Sequence, residues 1–387
     1  MTYLIEKFIR NEREEKLHHL AQDLSEELQE FASKIDEEAS IPTSILDRFR
    51  TSGYSALPVP KQYGGEDLSL YELVLIQEEL GKGEGATALS IGWHLGILKD
   101  LNDRRPWNDI TFGRLSRDVV EGTIINRAQT EEKTGDPTRG GLPVTIAKRV
   151  DSGYRLTGRK TFTTLSTHLD QVIVKATLED SEEACDFLIS MKDEGVSIEE
   201  TWDVIGMRGT RSDDLVLNGV HVPAERLLEV YDKERKTKAI PPGWLLHIPA
   251  VYLGIAEAAK QEAIEFVNTY QPNSLDKPLS EVPHIQDKIG QISLKLLSAR
   301  HFLYSVADQW DKYPEERMQM QSQLFAAKHQ AVNAAIDVVD LSMRIIGGRS
   351  LMKKNKIERL YRDVRAGLHN PPSDELTLQV LANSEFK

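Results

Sequence analysis

RIIGGRSLMKKNKIERLYRDVRAGLHNPP, residues 344–372, is the stretch around which the chain is organised. A long helical pattern stops at the pair Gly347–Gly348, where glycine permits positive φ and close backbone approach. A short basic segment follows, then Ile357–Asp363, which reads as a short helix. Arg362 and Asp363 suit a buried or inter-subunit ion pair. The stretch closes on His369-Asn370-Pro371-Pro372, where two prolines forbid helix just as an imidazole is presented. The pattern is therefore helix, glycine turn, short helix and a rigid loop carrying a histidine.

Upstream, residues 1–122 read as helical. Leu17, Leu20, Ala21, Leu24, Leu28, Phe31 and Ala32 recur at three- and four-residue spacing and give one apolar face. Pro42 starts a second helix, Leu57–Gly65 is a loop, and two more helices lie around 69–82 and 87–101. The last carries Trp93 and His94 among small residues that let a backbone approach something flat. A histidine in such a setting is most often a satisfied core residue. Near residue 123 the period changes to alternation. Segments 123–128, 143–147, 154–157, 171–175, 186–189 and 215–220 read as short strands with turns between them, spaced as in a small antiparallel barrel or sandwich. The unit ends near 222–228. Helical pattern then covers about 246–269, 284–312 and 317–346, broken by the turn Gln271-Pro272-Asn273-Ser274, and the long segments suit a bundle.

The chain has 387 residues, 28 % charged and 40 % hydrophobic, with a formal charge of −13. That is an ordinary globular composition with room for two or three structural units. Its acidity disfavours nucleic acid and anionic membrane surfaces as partners. The single Cys185 excludes an internal disulfide and a cysteine metal cluster, and no metal site is expected. It fits a reducing cytoplasm. No apolar run reaches membrane-spanning length, and the N-terminus lacks the apolar region of a secretory signal.

Four strings in this order resemble the acyl-CoA dehydrogenase superfamily: Pro60–Gly65, Met207–Leu228, Leu253–Ala259 and Gly347–Asp363. The resemblance covers nearly the whole chain. It implies an α+β, mainly α fold: an N-terminal helical domain (1–122), a central antiparallel β-barrel (123–228) and a C-terminal four-helix bundle (229–387). It implies a flavin, FMN or FAD, between barrel and bundle, and a homodimer or homotetramer. By the family's motifs, Thr130 would bond the pyrimidine end of the flavin, Phe162 would form an aromatic wall and Thr164 would supply the hydroxyl near N5. Gly347, Gly348 and Ser373 would complete the cofactor site. Hydroxyls suit this task because they donate or accept as the ring changes redox state. Without the resemblance, a Thr-rich strand signals only β propensity.

The chain departs from the dehydrogenase pattern where the reaction needs a carboxylate to take the α-proton. The family's two positions for that Glu fall here on Pro371 and Trp244, and neither is a base. The Arg beside the second position falls on Leu245. The loop Thr130–Pro137 also lacks the family's thioester-side Ser, and no Arg lies between Val267 and Arg300 to reach a pyrophosphate, which favours FMN. Flavin-dependent monooxygenases of the same superfamily, similar to dibenzothiophene monooxygenase, lack the Glu and carry an L-H-D-P loop. Leu368-His369-Asn370-Pro371 resembles it, with Asn for Asp. On that resemblance His369, His94 and Thr163 would handle oxygen, while Trp93, Phe162 and Trp244 would wall the substrate pocket and exclude water.

The expected activity is a flavin-dependent oxidoreductase, of which a reduced-flavin monooxygenase acting on a small organosulfur or aromatic compound is the leading form. Its electrons would come from a separate flavin reductase or another electron-transfer partner. The first alternative is an acyl-CoA dehydrogenase with a relocated base, Asp374 or Glu375. The second is a flavin-binding homologue without catalysis. Superfamily resemblance carries fold further than reaction. The basic run Lys353-Lys354-Asn355-Lys356 reads first as a solvated turn.

Overall fold

A computed structural model describes residues 4–134, 141–231 and 240–386. Helix α1 (Glu12–Glu38) begins where the Asn11 side chain accepts from the backbone N–H of Arg13 and Glu14, two donors that a helix start leaves unpaired. Its stripe of Leu17, Ala21, Leu24, Leu28 and Ala32 is buried. After α2 (Thr43–Thr51), helix α3 (Leu70–Gly83) opens with a capping box between Ser69 and Glu72 and is buried on nearly every side. One residue, Glu84, separates it from α4 (Gly85–Arg104), and its carboxylate caps α4 at Ala86 and Thr87. Helix α5 (Asp109–Val120) leads into the sheet.

The sheet has eight strands: β1 (Ile125–Ala128), β2 (Ile146–Val150), β3 (Gly153–Lys160), β4 (Gln171–Leu178), β5 (Ala184–Ser190), β6 (Val196–Glu199), β7 (Asp214–Pro223) and β8 (Leu227–Tyr231). The order runs β6-β7-β3-β2-β4-β5-β8, with β1 also on β4. Two features correct the expected antiparallel barrel. First, β6 and β8 do not join among the described residues, so the sheet is open. Second, it is mixed: β1 and β2 both run parallel to β4, β1 along Gln171–Val174 and β2 at Thr177–Leu178. One edge of β4 is shared end to end between two shorter strands that alternation alone cannot order. The short strands β6 and β8 lie outside the six segments of alternation.

Helices α6 (His247–Thr269), α7 (Pro283–Lys312) and α8 (Gln321–Ile346) form the long C-terminal elements, followed by α9 (Lys356–Val364) and α10 (Asp374–Glu385). Helix α3 packs against α6 at backbone contact. A Cβ on Gly254 would stand 2.2 Å from the Glu78 carbonyl oxygen, and one on Gly81 2.5 Å from that of Val251. Across this seam Arg300 of α7 is fully buried and donates to Glu78 (2.5 Å) and Glu257 (2.8 Å), while the Tyr304 hydroxyl donates to Glu78 at 2.9 Å. A buried charge set of this kind requires every partner in place.

Arg362 and Asp363 do not pair with each other. Arg362 reaches back to Asp36 of α1 and Glu358, and also donates to the Ile205 carbonyl in the loop before β7. Asp363 is buried and accepts from the Met207 N–H at 2.6 Å. Gly206 sits against Arg362 so closely that a Cβ would lie 2.3 Å from its carbonyl oxygen. The organising stretch thus fastens the sheet to the first helix and to the bundle.

Candidate active site

The strand ends bring two distant motifs together. The Thr161 N–H donates to the Thr130 carbonyl at 2.9 Å, and the Lys160 ammonium meets Glu131 at 2.5 Å with both side chains buried. Burial pushes the Glu131 carboxyl up. The Lys160 charge and the donors Thr145 and Val144 outweigh this and hold it below the usual carboxylate range. Glu131 is therefore a structural anchor that sets Thr130 beside residues 161–164. Gly135, Asp136 and Pro137 of the same loop lie outside the described residues.

Beyond β3 the chain turns sharply. Phe162 and Leu165 take φ of 56° and 61°, a sparsely populated region for such residues that costs of order 1–3 kcal/mol each and collects at functional sites. The turn is held by Thr163 N–H to the Asp213 carbonyl (3.1 Å), Leu165 N–H to the Thr210 carbonyl (2.9 Å) and the Asn126 amide to the Thr164 carbonyl (2.7 Å). The Thr164 hydroxyl exchanges a hydrogen bond with Ser212 at 2.9 Å. Phe162 is 65 % exposed, with its ring edge-on to Trp202. The Thr161 and Thr163 hydroxyl oxygens are buried and have no partner among the described residues. An exposed ring beside unsatisfied hydroxyls fits a planar cofactor rich in hydrogen-bonding atoms.

A second cluster is aromatic. Along α4 every residue from Gly85 to Leu101 is buried except Trp93. Trp93 meets Trp244 edge-to-face at 5.7 Å, and both touch His247, whose ring lies parallel to Trp244 at 5.8 Å. Gly96 makes the room: a Cβ there would stand 2.6 Å from the Trp244 ring. Trp93 and Trp244, far apart in sequence, are therefore brought into contact, and both stay partly exposed.

His94 lies elsewhere. It is fully buried, with Nε2 on the Ser55 carbonyl (3.0 Å) and Nδ1 accepting from the Ile125 N–H (3.0 Å). Burial lowers its pKa to about 4, so it is a neutral clamp joining α4, the loop after α2 and β1. Both nitrogens are taken by backbone, the satisfied-core role weighed for it in the sequence. His369 is exposed. Its neighbour Asn370 accepts from the buried Tyr252 hydroxyl at 2.6 Å. Ser373 caps α10 by accepting from the Leu376 N–H. Asp374 faces Lys328, His329 and Asn333, and Glu375 is exposed. Gly347 (φ 71°) and Gly348 have open space where a Cβ would be.

Sequence reasoning missed His247 and the Glu131–Lys160 anchor. The spacing Trp244-x-x-His247 at a helix start was an available signal for the first, since residues three apart share a helix face. Among the described residues no group of His, Cys, Asp or Glu could hold a metal, and no helix is long and apolar enough to cross a membrane.

A sheet set in the chain between N-terminal and C-terminal helices, together with the matches that follow, makes this a flavin-dependent oxidoreductase. The chain belongs to the acyl-CoA dehydrogenase family: the family's N-terminal, middle and C-terminal domain profiles match residues 11–102, 127–220 and 246–370. It is 45 % identical to YdbM of Bacillus subtilis (strain 168), whose name assigns it provisionally to the acyl-CoA dehydrogenases, over 98 % of this chain and 99 % of that one. Butyryl-CoA dehydrogenase from Megasphaera elsdenii superposes with a TM-score of 0.87 at 22 % identity, covering 98 % and 99 % of the two chains. FMN-bound TdsC, a dibenzothiophene monooxygenase from Paenibacillus sp. A11-2, superposes at 0.86 and 22 % identity, covering 95 % and 96 %. At these identities the two structures speak to fold and not to reaction.

Proposed function

We propose that the chain is a reduced-flavin monooxygenase for a small aromatic or organosulfur compound. The observation that carries this reading is the missing base. The two family positions for it hold Trp244 and Pro371. Of the carboxylates next along the chain, Asp374 faces Lys328, His329 and Asn333, and Glu375 is exposed. On this reading neither family position holds an acceptor for the α-proton of a thioester.

When bound, the reduced flavin supplies two electrons to O2, so that one oxygen atom enters the substrate and the other leaves as water. The residues of this chain hold and shield that chemistry. Thr130 and Thr164 orient the ring, with Phe162 against it; Gly347, Gly348 and Ser373 belong to the same cofactor site. Thr163, whose hydroxyl has no partner among the described residues, would bond the oxygen. His94 acts through Ile125 by fixing β1, and His369 offers a second imidazole from the loop. Trp93 and Trp244 hold the substrate ring and exclude water. A separate reductase supplies the electrons, and the working form is a homo-oligomer in the cytoplasm, organised as domains 1–122, 123–228 and 229–387.

The test is stopped-flow absorbance of protein loaded anaerobically with reduced FMN and mixed with oxygenated buffer. Reoxidation slower than that of free flavin, with an oxygenated product when an aromatic or organosulfur substrate is present, is the expected result. The resemblance to YdbM supports a second reading, acyl-CoA dehydrogenation. Bleaching of FAD-loaded protein by an acyl-CoA, abolished by Glu375→Gln, would establish that reading and sink the first.

A further inference from the structure

The turn after α8 gathers positive charge on the surface. No acidic residue lies between Asp340 and Glu358, and Arg344, Arg349, Lys353 and Lys354 are exposed within that interval. None of them has an ion-pair or side-chain hydrogen-bond partner among the described residues. On a chain of formal charge −13, such a patch raises the local concentration of anions. Gly347 and Gly348 stand inside it, with open space on the side a Cβ would take.

Arg349 is the member of the patch held in place. Its guanidinium carbon lies 4.0 Å from the Tyr270 ring centroid and 5.9 Å from that of Phe266. Those rings stack on each other at 5.1 Å, Phe266 in the last turn of α6 and Tyr270 just past its end. The backbone is held too: the Arg349 carbonyl accepts from the Met352 N–H at 3.2 Å and from the Asn355 amide at 3.3 Å. Lys356 meets Glu262 of α6 at 3.2 Å, which keeps the turn alongside that helix. A guanidinium laid on a ring keeps its in-plane N–H donors free, and their fork matches the oxygens of a phosphate.

Tyr270 opens the stretch where the acyl-CoA dehydrogenase pattern has an Arg for the pyrophosphate and this chain has none. Arg349 comes to that place from the glycine turn. We propose that Arg349, assisted by Lys353 and Lys354, binds the phosphate of the flavin nucleotide, with Tyr270 holding the guanidinium for it. The proposal rests on the placing of Gly347 and Gly348 at the cofactor, and it stands whether the reaction is oxygenation or dehydrogenation. The missing arginine then no longer separates FMN from FAD.

The test is fluorescence titration of the full-length protein, freed of flavin, with riboflavin and with FMN, which differ by the phosphate alone. Wild type should bind FMN about tenfold more tightly, the worth of one charge-assisted hydrogen bond, and the advantage should shrink as salt rises. Arg349→Met keeps an apolar contact with Tyr270. It should cut the preference to about threefold, the share left to the exposed lysines, without weakening riboflavin. If Arg349→Met does not fold, the double variant Lys353→Ala/Lys354→Ala in the exposed turn reads the same preference and should also lower it to about threefold. A wild type without preference for FMN, or a preference that survives these substitutions, would overturn the proposal. Riboflavin weakened as much as FMN would overturn it too and make Arg349 a packing residue of the turn. Thr164→Val keeps the two readings apart: if it weakens both flavins while Arg349→Met changes neither, the ring site stands and the phosphate site falls. Binding of neither flavin by wild type overturns both.

Discussion

Thr163 and His94 were named together as oxygen-handling residues, and the structure gives them opposite surroundings. The Thr163 hydroxyl is buried and has no partner among the described residues, an arrangement that costs stability. Thr163→Val should leave unfolding free energy unchanged or raise it by about 1 kcal/mol, while the yield of oxygenated product per flavin oxidised falls severalfold. Urea unfolding and product-to-peroxide ratios measure the two effects. A destabilised Thr163→Val would mean the hydroxyl already has a partner. His94 has both nitrogens bonded to backbone, and His94→Phe should cost about 2–4 kcal/mol by orphaning two backbone groups.

The same residues set a pH dependence. His94 and His247 have folded pKa values of about 4, depressed from 6.5 by burial. Between those values the unfolded chain binds more protons than the folded one. Each histidine therefore removes up to about 1.4 kcal/mol of stability per pH unit as pH falls from 6.5 toward 4. Asp363 works the other way. Burial and nearby Glu84 raise it to about 7 from 3.8, so the folded state binds the extra proton and stability rises as pH falls through 7. His168, Glu79 and Glu131, all held low, act with the two histidines, while Glu78 and Asp311, held high, act with Asp363, so losses outnumber gains and Tm should drop between pH 6.5 and 4. His247→Phe should make that drop shallower, and Asp363→Asn should make it steeper while raising Tm above pH 7. A pH dependence of Tm left unchanged by His247→Phe would refute the assignment of a buried neutral His247.

At the level of elements, the α3–α6–α7 seam depends on atoms that cannot yield. A methyl on Gly254 would meet backbone, so Gly254→Ala should destabilise by about 3 kcal/mol or more. Arg300→Met would leave Glu78 and Glu257 buried without their shared cation and should cost about 3–5 kcal/mol. Denaturant titration measures both, and near-neutral values would show that the seam relaxes. The helices were foreseeable because their apolar stripes are long and their caps local, as at Ser69 and Glu72. The strand order was not: β1 and β2 share one edge of β4, and short strands carry no local mark of which partner they will choose.

Across the whole molecule, Arg362 holds three parts at once through Asp36, Glu358 and the Ile205 carbonyl. Arg362→Ala should lower stability by about 2 kcal/mol and raise limited proteolysis between β6 and β7, an effect that a purely local role would not produce. The sequence by itself determined the alternation of helical and strand segments, the family, and the Trp and Pro at the two positions where the family resemblance expects a glutamate, because each is written in residue type and spacing along one stretch. Only the tertiary structure decided which residues meet. It took His94 into a backbone clamp, left His369 on the surface, joined Trp93 to Trp244 and laid Arg349 on Tyr270. Those outcomes depend on how side chains from separate elements share the same few ångströms of space and satisfy one another's hydrogen bonds, which is a property of the packed chain and not of any stretch of it.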